Sequence, residues 1–171
     1  MTFWLENSVI GLGLCPFARQ VWEGQKVRLA ISDSDEHEGL LLDLYNECEH
    51  LVHNQAVETT LLVIPNSLID FDDFNQFLDL CDTLLSQFNW NGEFQIASFH
   101  PKYQFSGTQA DDRENWTNRS PYPLLHLLRE ESLSKALASH PCPETIPVSN
   151  IETLNSLSER EFRRIFGDNN N

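Results

Sequence analysis

Between Phe99 and Arg129 the chain reads FHPKYQFSGTQADDRENWTNRSPYPLLHLLR, and this stretch gathers side chains able to move protons, hold anions and orient one another. His100 and His126 are candidate proton carriers, and Asp111 or Asp112 is a candidate to orient a histidine. Lys102, Arg113, Arg119 and Arg129 are candidate anchors for a carboxylate or phosphate. Tyr103, Thr108, Asn118, Ser120 and Tyr122 add hydrogen-bonding groups beside them. No apolar spacing appears until Leu124, and a long polar loop that still carries aromatic rings reads as a site rather than as disorder. Cys15 joins the set from Leu14-Cys15-Pro16-Phe17-Ala18, where Pro16 suits the first turn of a short helix and leaves Cys15 as its cap. A thiol there would feel the positive helix end, lose its proton more readily and become a nucleophile; the plainer reading packs it as a small core filler. The other residues have plainer uses too: His100 as a strand-end ring bonded to a carbonyl, and Asp111-Asp112-Arg113 as a solvated turn.

The elements that must position these groups follow from apolar spacing. Helices are expected over residues 2–10 and from Pro16 to Gly24, a strand over 26–32, and a helix from Glu36 to His53. Thr59 to Ile64 reads as a doubly buried strand, Asp70 as the cap of a long helix that runs to Phe88, and Glu93 to Phe99 as a third strand. Helices between strands imply an α/β fold: a single domain over 1–171 with a small, mainly parallel sheet of three strands, a fourth being the alternative, and helices packed on it. Ser120-Pro121 reads as the start of another helix that runs through Leu124–Leu128 to Ser139 and lines Tyr122, His126 and Arg129 on one stripe. In a parallel sheet the carboxyl ends of the strands form the binding rim, which brings His100 there, and the helix start beside Arg119 would make an anion pocket. Residues 141–148 read as a surface linker, Ser149 with Glu152 and Ser158 with Glu161 as capping boxes of two last helices, and 167–171 as a flexible tail.

Composition narrows the classes. The formal charge of −15, from 26 acidic and 11 basic residues, disfavours nucleic-acid and membrane-surface binding, so a small anionic ligand needs a local basic pocket. Four scattered cysteines with no C-x-x-C pair fit reduced thiols in the cytoplasm, and the amino end shows no leader or span. His50 and His53 lack a third ligand, so no metal site is assigned, no cofactor is indicated, and oligomeric state is left open.

Leu14-Cys15-Pro16-Phe17-Ala18, Ser98-Phe99-His100-Pro101-Lys102-Tyr103-Gln104-Phe105 and Thr117-Asn118-Arg119-Ser120-Pro121-Tyr122-Pro123-Leu124-Leu125-His126-Leu127-Leu128-Arg129-Glu130 together resemble the bacterial family called domain of unknown function 1415. The likeness extends to about Leu137 and implies a cytosolic protein without specifying chemistry. Three functions fit the residues. The first is an enzyme acting on a small anionic metabolite, with the arginines as anchors, a histidine as proton carrier and Cys15 as nucleophile. The second is a metal-dependent hydrolase or oxygenase built on His100, His126 and an aspartate. The third is a non-catalytic module that binds a ligand or a protein through Trp116, Tyr103 and Tyr122.

Overall fold

Four short apolar runs find each other in one mixed sheet. The computed structural model describes residues 1–167, and its strands are β1 (Val27–Ile31), β2 (Thr59–Val63), β3 (Phe94–Phe99) and β4 (Leu124–Arg129), in the order β1-β2-β4-β3. β1 and β2 pair in parallel, Val27 opposite Thr59 and Ile31 opposite Val63. β4 lies antiparallel between β2 and β3, with Leu124 opposite both Val63 and Phe99. The expectation of a mainly parallel sheet is therefore corrected: one pair is parallel and two are antiparallel. The fourth strand comes from residues expected to be helical. Six consecutive residues, LLHLLR, carry no alternation that separates a strand buried on both faces from a buried helix, and β4 is covered on both. The discriminating signal was Pro123, which forces Tyr122 to be extended and, with Pro121, leads the chain into the sheet rather than into a helix turn.

The remaining helices are α1 (Thr2–Trp4), which continues as a wider π turn over Leu5–Ile10, α2 (Ala18–Glu23), α3 (His37–His53), α4 (Phe71–Gln87), α5 (Glu130–Ser139), α6 (Ile146–Ser156) and α7 (Glu159–Phe166). α3 and α4 cover one face of the sheet. Leu40, Leu44, Cys48 and Leu51 from α3 and Phe74, Phe77, Cys81 and Leu85 from α4 meet Ala30, Leu62, Leu125 and Leu127 from the strands. Full burial of such a side chain contributes about 1.5–3 kcal/mol, which makes this layer the main source of stability. Asp70 caps α4 as expected, its Oδ1 accepting the Asp72 and Asp73 N–H groups at 2.9 and 3.3 Å.

The amino-terminal helix covers part of the other face, where Trp4, Leu5 and Ile10 pack on Leu61, Val63 and Leu124. The β1 edge of that face stays open, with Ile31 68 % exposed. α6 and α7 fold back beneath the polar loop, and Leu154 and Phe166 join Leu14, Trp116 and Phe162 in a third apolar cluster. Ser158 and Glu161 form the anticipated capping box of α7, whereas α6 begins at Ile146, so Ser149 lies inside it rather than at its cap. A short 3-10 turn over Pro143–Thr145 precedes α6 within the stretch expected to be linker. Of the expected tail, 168–171 lies outside the described residues.

Candidate functional site

β1, β2 and β3 run in the same direction, so their carboxyl ends share one rim, and the chain leaves β3 there as His100-Pro101-Lys102. Between this exit, the start of α4 and the inner side of α7 lies a groove of about 880 Å³. Lys102, Arg113, Arg119 and Arg163 line it, together with Asp70, Asp72, Asp111 and Glu159, and its aromatic walls are Phe71, Trp116 and Phe162.

The loop that forms one wall is shaped by Asn115, a fully buried residue in the 3-10 turn Arg113–Thr117. Its Oδ1 accepts the Phe105 N–H at 2.9 Å and lies 2.9 Å from the Thr108 hydroxyl, while its Nδ2 donates to the Gln109 carbonyl at 2.7 Å. Arg119 reinforces that shape: Nε donates to the Tyr103 carbonyl at 3.1 Å and Nη2 to the Ala110 carbonyl at 2.5 Å, with the guanidinium 4.8 Å over the Trp116 ring. Burial lowers the Arg119 pKa, with Asp111 opposing it, and Arg119 makes no ion pair among the described residues. Arg113 is more fully occupied. Its Nη1 donates to the carbonyls of Leu154 and Leu157 at 3.0 and 2.6 Å, its Nη2 pairs with Glu159, and it stacks on Phe162. Lys102 is exposed and also makes no ion pair among the described residues.

The other candidates are distributed around the molecule. His100 is fully buried against Phe71 and Phe74, its Nε2–H donating to the Leu68 carbonyl at 3.0 Å and its Nδ1 accepting the Lys102 N–H at 3.0 Å. Both nitrogens are used, and burial lowers its pKa despite the Leu68 bond, so the ring is neutral. His126 lies on the opposite face of the sheet, beside Leu61 and Phe99. The single Thr59 hydroxyl proton goes to the Leu127 carbonyl at 2.5 Å, so His126 Nε2 is the donor to Thr59 Oγ1 at 2.7 Å, and burial pushes its pKa down to about 4. Two histidines separated by the sheet share no ligand, and among the described residues no group of three His, Cys, Asp or Glu side chains is placed to hold a metal ion. Arg129 belongs to the opposite rim, where its Nη2 lies 2.6, 3.3 and 3.1 Å from the carbonyls of Leu51, Asn54 and Val57 at the end of α3.

The helix start expected at Ser120-Pro121 does not exist. Ser120 is buried and donates its hydroxyl to the Tyr122 carbonyl at 2.6 Å, and Tyr122 is an exposed ring ahead of β4. Asn118 ties the loop to β3, donating to the Ser98 carbonyl at 3.1 Å. Asp112 is exposed and accepts the Gln109 N–H at 2.8 Å rather than orienting a histidine. Tyr103 leans on Phe71 and Phe105, and its carbonyl holds Arg119. The helix expected to start at Pro16 with Cys15 as its cap starts instead at Ala18 with Phe17 at the cap; the Phe17 and Ala18 N–H groups lower the Cys15 pKa, but burial raises it by more. The net shift is upward, so the activated thiolate is corrected to a neutral thiol.

Arg113, Trp116 and Arg119 were visible as residue types in a polar loop. The contributions of Phe71, Phe162 and Arg163 were not, because the folding back of α7 that brings two of them in is encoded only as one amphipathic face.

Fold and groove together define an α/β protein with a four-stranded mixed sheet and a mixed-charge cleft at the rim where its three like-directed strands end. The chain belongs to the family described as Protein of unknown function (DUF1415), matched over residues 1–164. No curated protein and no solved structure matches it. Among the described residues no helix is long and apolar enough to cross a membrane.

Proposed function

We propose that this protein binds a small organic anion in the groove between the 100–119 loop and α7, as a ligand-binding protein rather than as a catalyst built on His100 or His126. The observation that carries the reading is Arg119: a half-buried guanidinium, its pKa lowered by burial, that makes no ion pair among the described residues. An anion beside it recovers the electrostatic energy that burial removes. Four of the chain's 11 basic residues line this one groove although the chain as a whole carries −15. The start of α4 contributes little attraction, since Asp70 already occupies its first N–H groups and Asp72 lines the cleft. Selection therefore rests on the side-chain cations, and Trp116 and Phe71 favour a ligand with a flat apolar part.

The test is a thermal-shift and calorimetric comparison of phenyl phosphate, inorganic phosphate and phenol. Phenyl phosphate is expected to raise the melting temperature saturably, inorganic phosphate less, and phenol least. Lys102→Ala, which removes an exposed ammonium that makes no ion pair among the described residues, should weaken phenyl phosphate roughly tenfold with little change in stability. Equal responses to phenol and phenyl phosphate, or a Lys102→Ala variant that binds as well as the parent, would overturn the assignment.

A further inference from the structure

The 3-10 turn Arg113–Thr117 has a second side. Residues three apart eclipse in such a turn, so Arg113 and Trp116 face the groove while Glu114 and Thr117 face the other way. There they border a separate pocket of about 460 Å³ whose walls are mainly apolar, formed by Leu14, Phe99 and Phe105 on one side and Ile151 of α6 on the other. Cys15 also lines it.

Two acceptors at this pocket, the Glu114 carboxylate and the Asn150 Oδ1, have no donor among the described residues. The Glu114 carboxylate is half-buried and forms no hydrogen bond or ion pair among the described residues. Asn150 donates its Nδ2 to the Leu14 carbonyl at 2.8 Å, which leaves its Oδ1 with no donor among the described residues. The Thr117 hydroxyl is already engaged, 2.9 Å from the Glu114 carbonyl and 3.1 Å from Asn118 Oδ1. A ligand matching this wall brings N–H donors, a positive charge and an apolar body.

We propose that this second pocket is a binding site for a small primary amine carrying an apolar group, with its ammonium on Glu114 and its hydrocarbon part between Phe99, Phe105 and Ile151. The chain's overall negative charge adds long-range attraction for such a cation. Occupancy covers the Cys15 thiol, which makes that residue a reporter.

The experiment uses the full chain with Cys142→Ser, because Cys142 is exposed whereas Cys48 and Cys81 are buried, so Cys15 becomes the thiol that reagents reach. Modification by methyl methanethiosulfonate is timed at a pH of about 8.5 with n-hexylamine, n-hexanol or hexanoate present. Hexylamine is expected to slow Cys15 modification about tenfold or more at saturation, with hexanol and hexanoate well behind. Glu114→Gln should bring hexylamine down to the level of hexanol. Ile151→Phe, which fills the pocket from α6, should slow the reaction without ligand and remove the hexylamine effect, and it serves if Glu114→Gln does not fold. Equal protection by hexanol and hexylamine, protection that survives both substitutions, or no protection by the amine would overturn the proposal.

Discussion

Burying a neutral imidazole requires a partner for each ring nitrogen, and His100 finds one in the Leu68 carbonyl and the other in the Lys102 amide. The ring thus locks the end of β3 to the turn before α4. His100→Ala leaves both backbone groups unpaired and opens a cavity beside Phe71 and Phe74, with an expected loss of about 3 kcal/mol in urea unfolding. His126 makes a second residue-level prediction, on pH. Its folded pKa near 4 lies below the ordinary value of about 6.5, so the unfolded chain takes up the proton first as pH falls. The contribution is fully present above about 6.5 and is lost progressively down to about 4, by up to about 3 kcal/mol. His126→Gln, which retains an N–H donor for Thr59, should flatten the stability profile in that window, and NMR should show the wild-type ring without titration until pH approaches 4; a ring titrating near 6.5 would refute this. The residue types in the Phe99–Arg129 segment announced many polar groups, of which Lys102, Arg113 and Arg119 share the groove while His126 and Arg129 lie elsewhere. What they did not announce was how many would be consumed by backbone groups, since a carbonyl that needs a donor, such as that of Leu68, is invisible until the chain is folded.

At the scale of elements, β4 shows how a side chain's role follows from the element that carries it. On a helix, Arg129 would have shared a stripe with Tyr122 and His126; on a strand it is carried to the far rim, where it reaches the Leu51 carbonyl of α3 and those of Asn54 and Val57 just beyond its end. Arg129→Ala should cost about 2–4 kcal/mol and raise hydrogen exchange in the last turn of α3, while leaving phenyl phosphate binding unchanged once the protein is folded. Loss of binding with unaltered exchange would place Arg129 in a site instead. α4 and β2 were readable because each carries a single unambiguous signal: recurrent Phe and Leu at three and four behind an Asp cap in one, a short β-branched run in the other. LLHLLR carries neither, and Pro123 before it was the one local cue. Cys15 fits the same lesson, because α2 takes Phe17 as its cap instead, and the residues around the thiol include Asn150 and Ile151 from α6, which no local pattern near Cys15 announces.

For the whole molecule, the shared rim of β1, β2 and β3 was legible from alternating strands and helices, and it survives the correction of the sheet because β4 enters antiparallel without reversing the others. The insertion itself was not legible, since pairing across the sheet is decided by distant partners rather than by local pattern. Charge distribution makes the last prediction. Acidic residues spread over helix surfaces give a field that opposes compaction, whereas the bidentate Arg28–Glu47 pair at 2.7 and 3.0 Å is among the few close attractive contacts. At −15 the repulsion outweighs the exposed pairs Arg19–Glu23 and Lys135–Glu131, which contribute little. Raising sodium chloride from about 10 mM to about 0.3 M shortens the screening length from about 30 Å to about 6 Å, so the melting temperature should rise in phosphate-free buffer at neutral pH. The response to phenyl phosphate should shrink over the same range, because the same ions screen Lys102 and Arg119. Opposite salt dependences for folding and for ligand binding distinguish an anion held by the cations of this mixed-charge groove from binding driven by apolar contact alone, for which added salt would leave the ligand response undiminished.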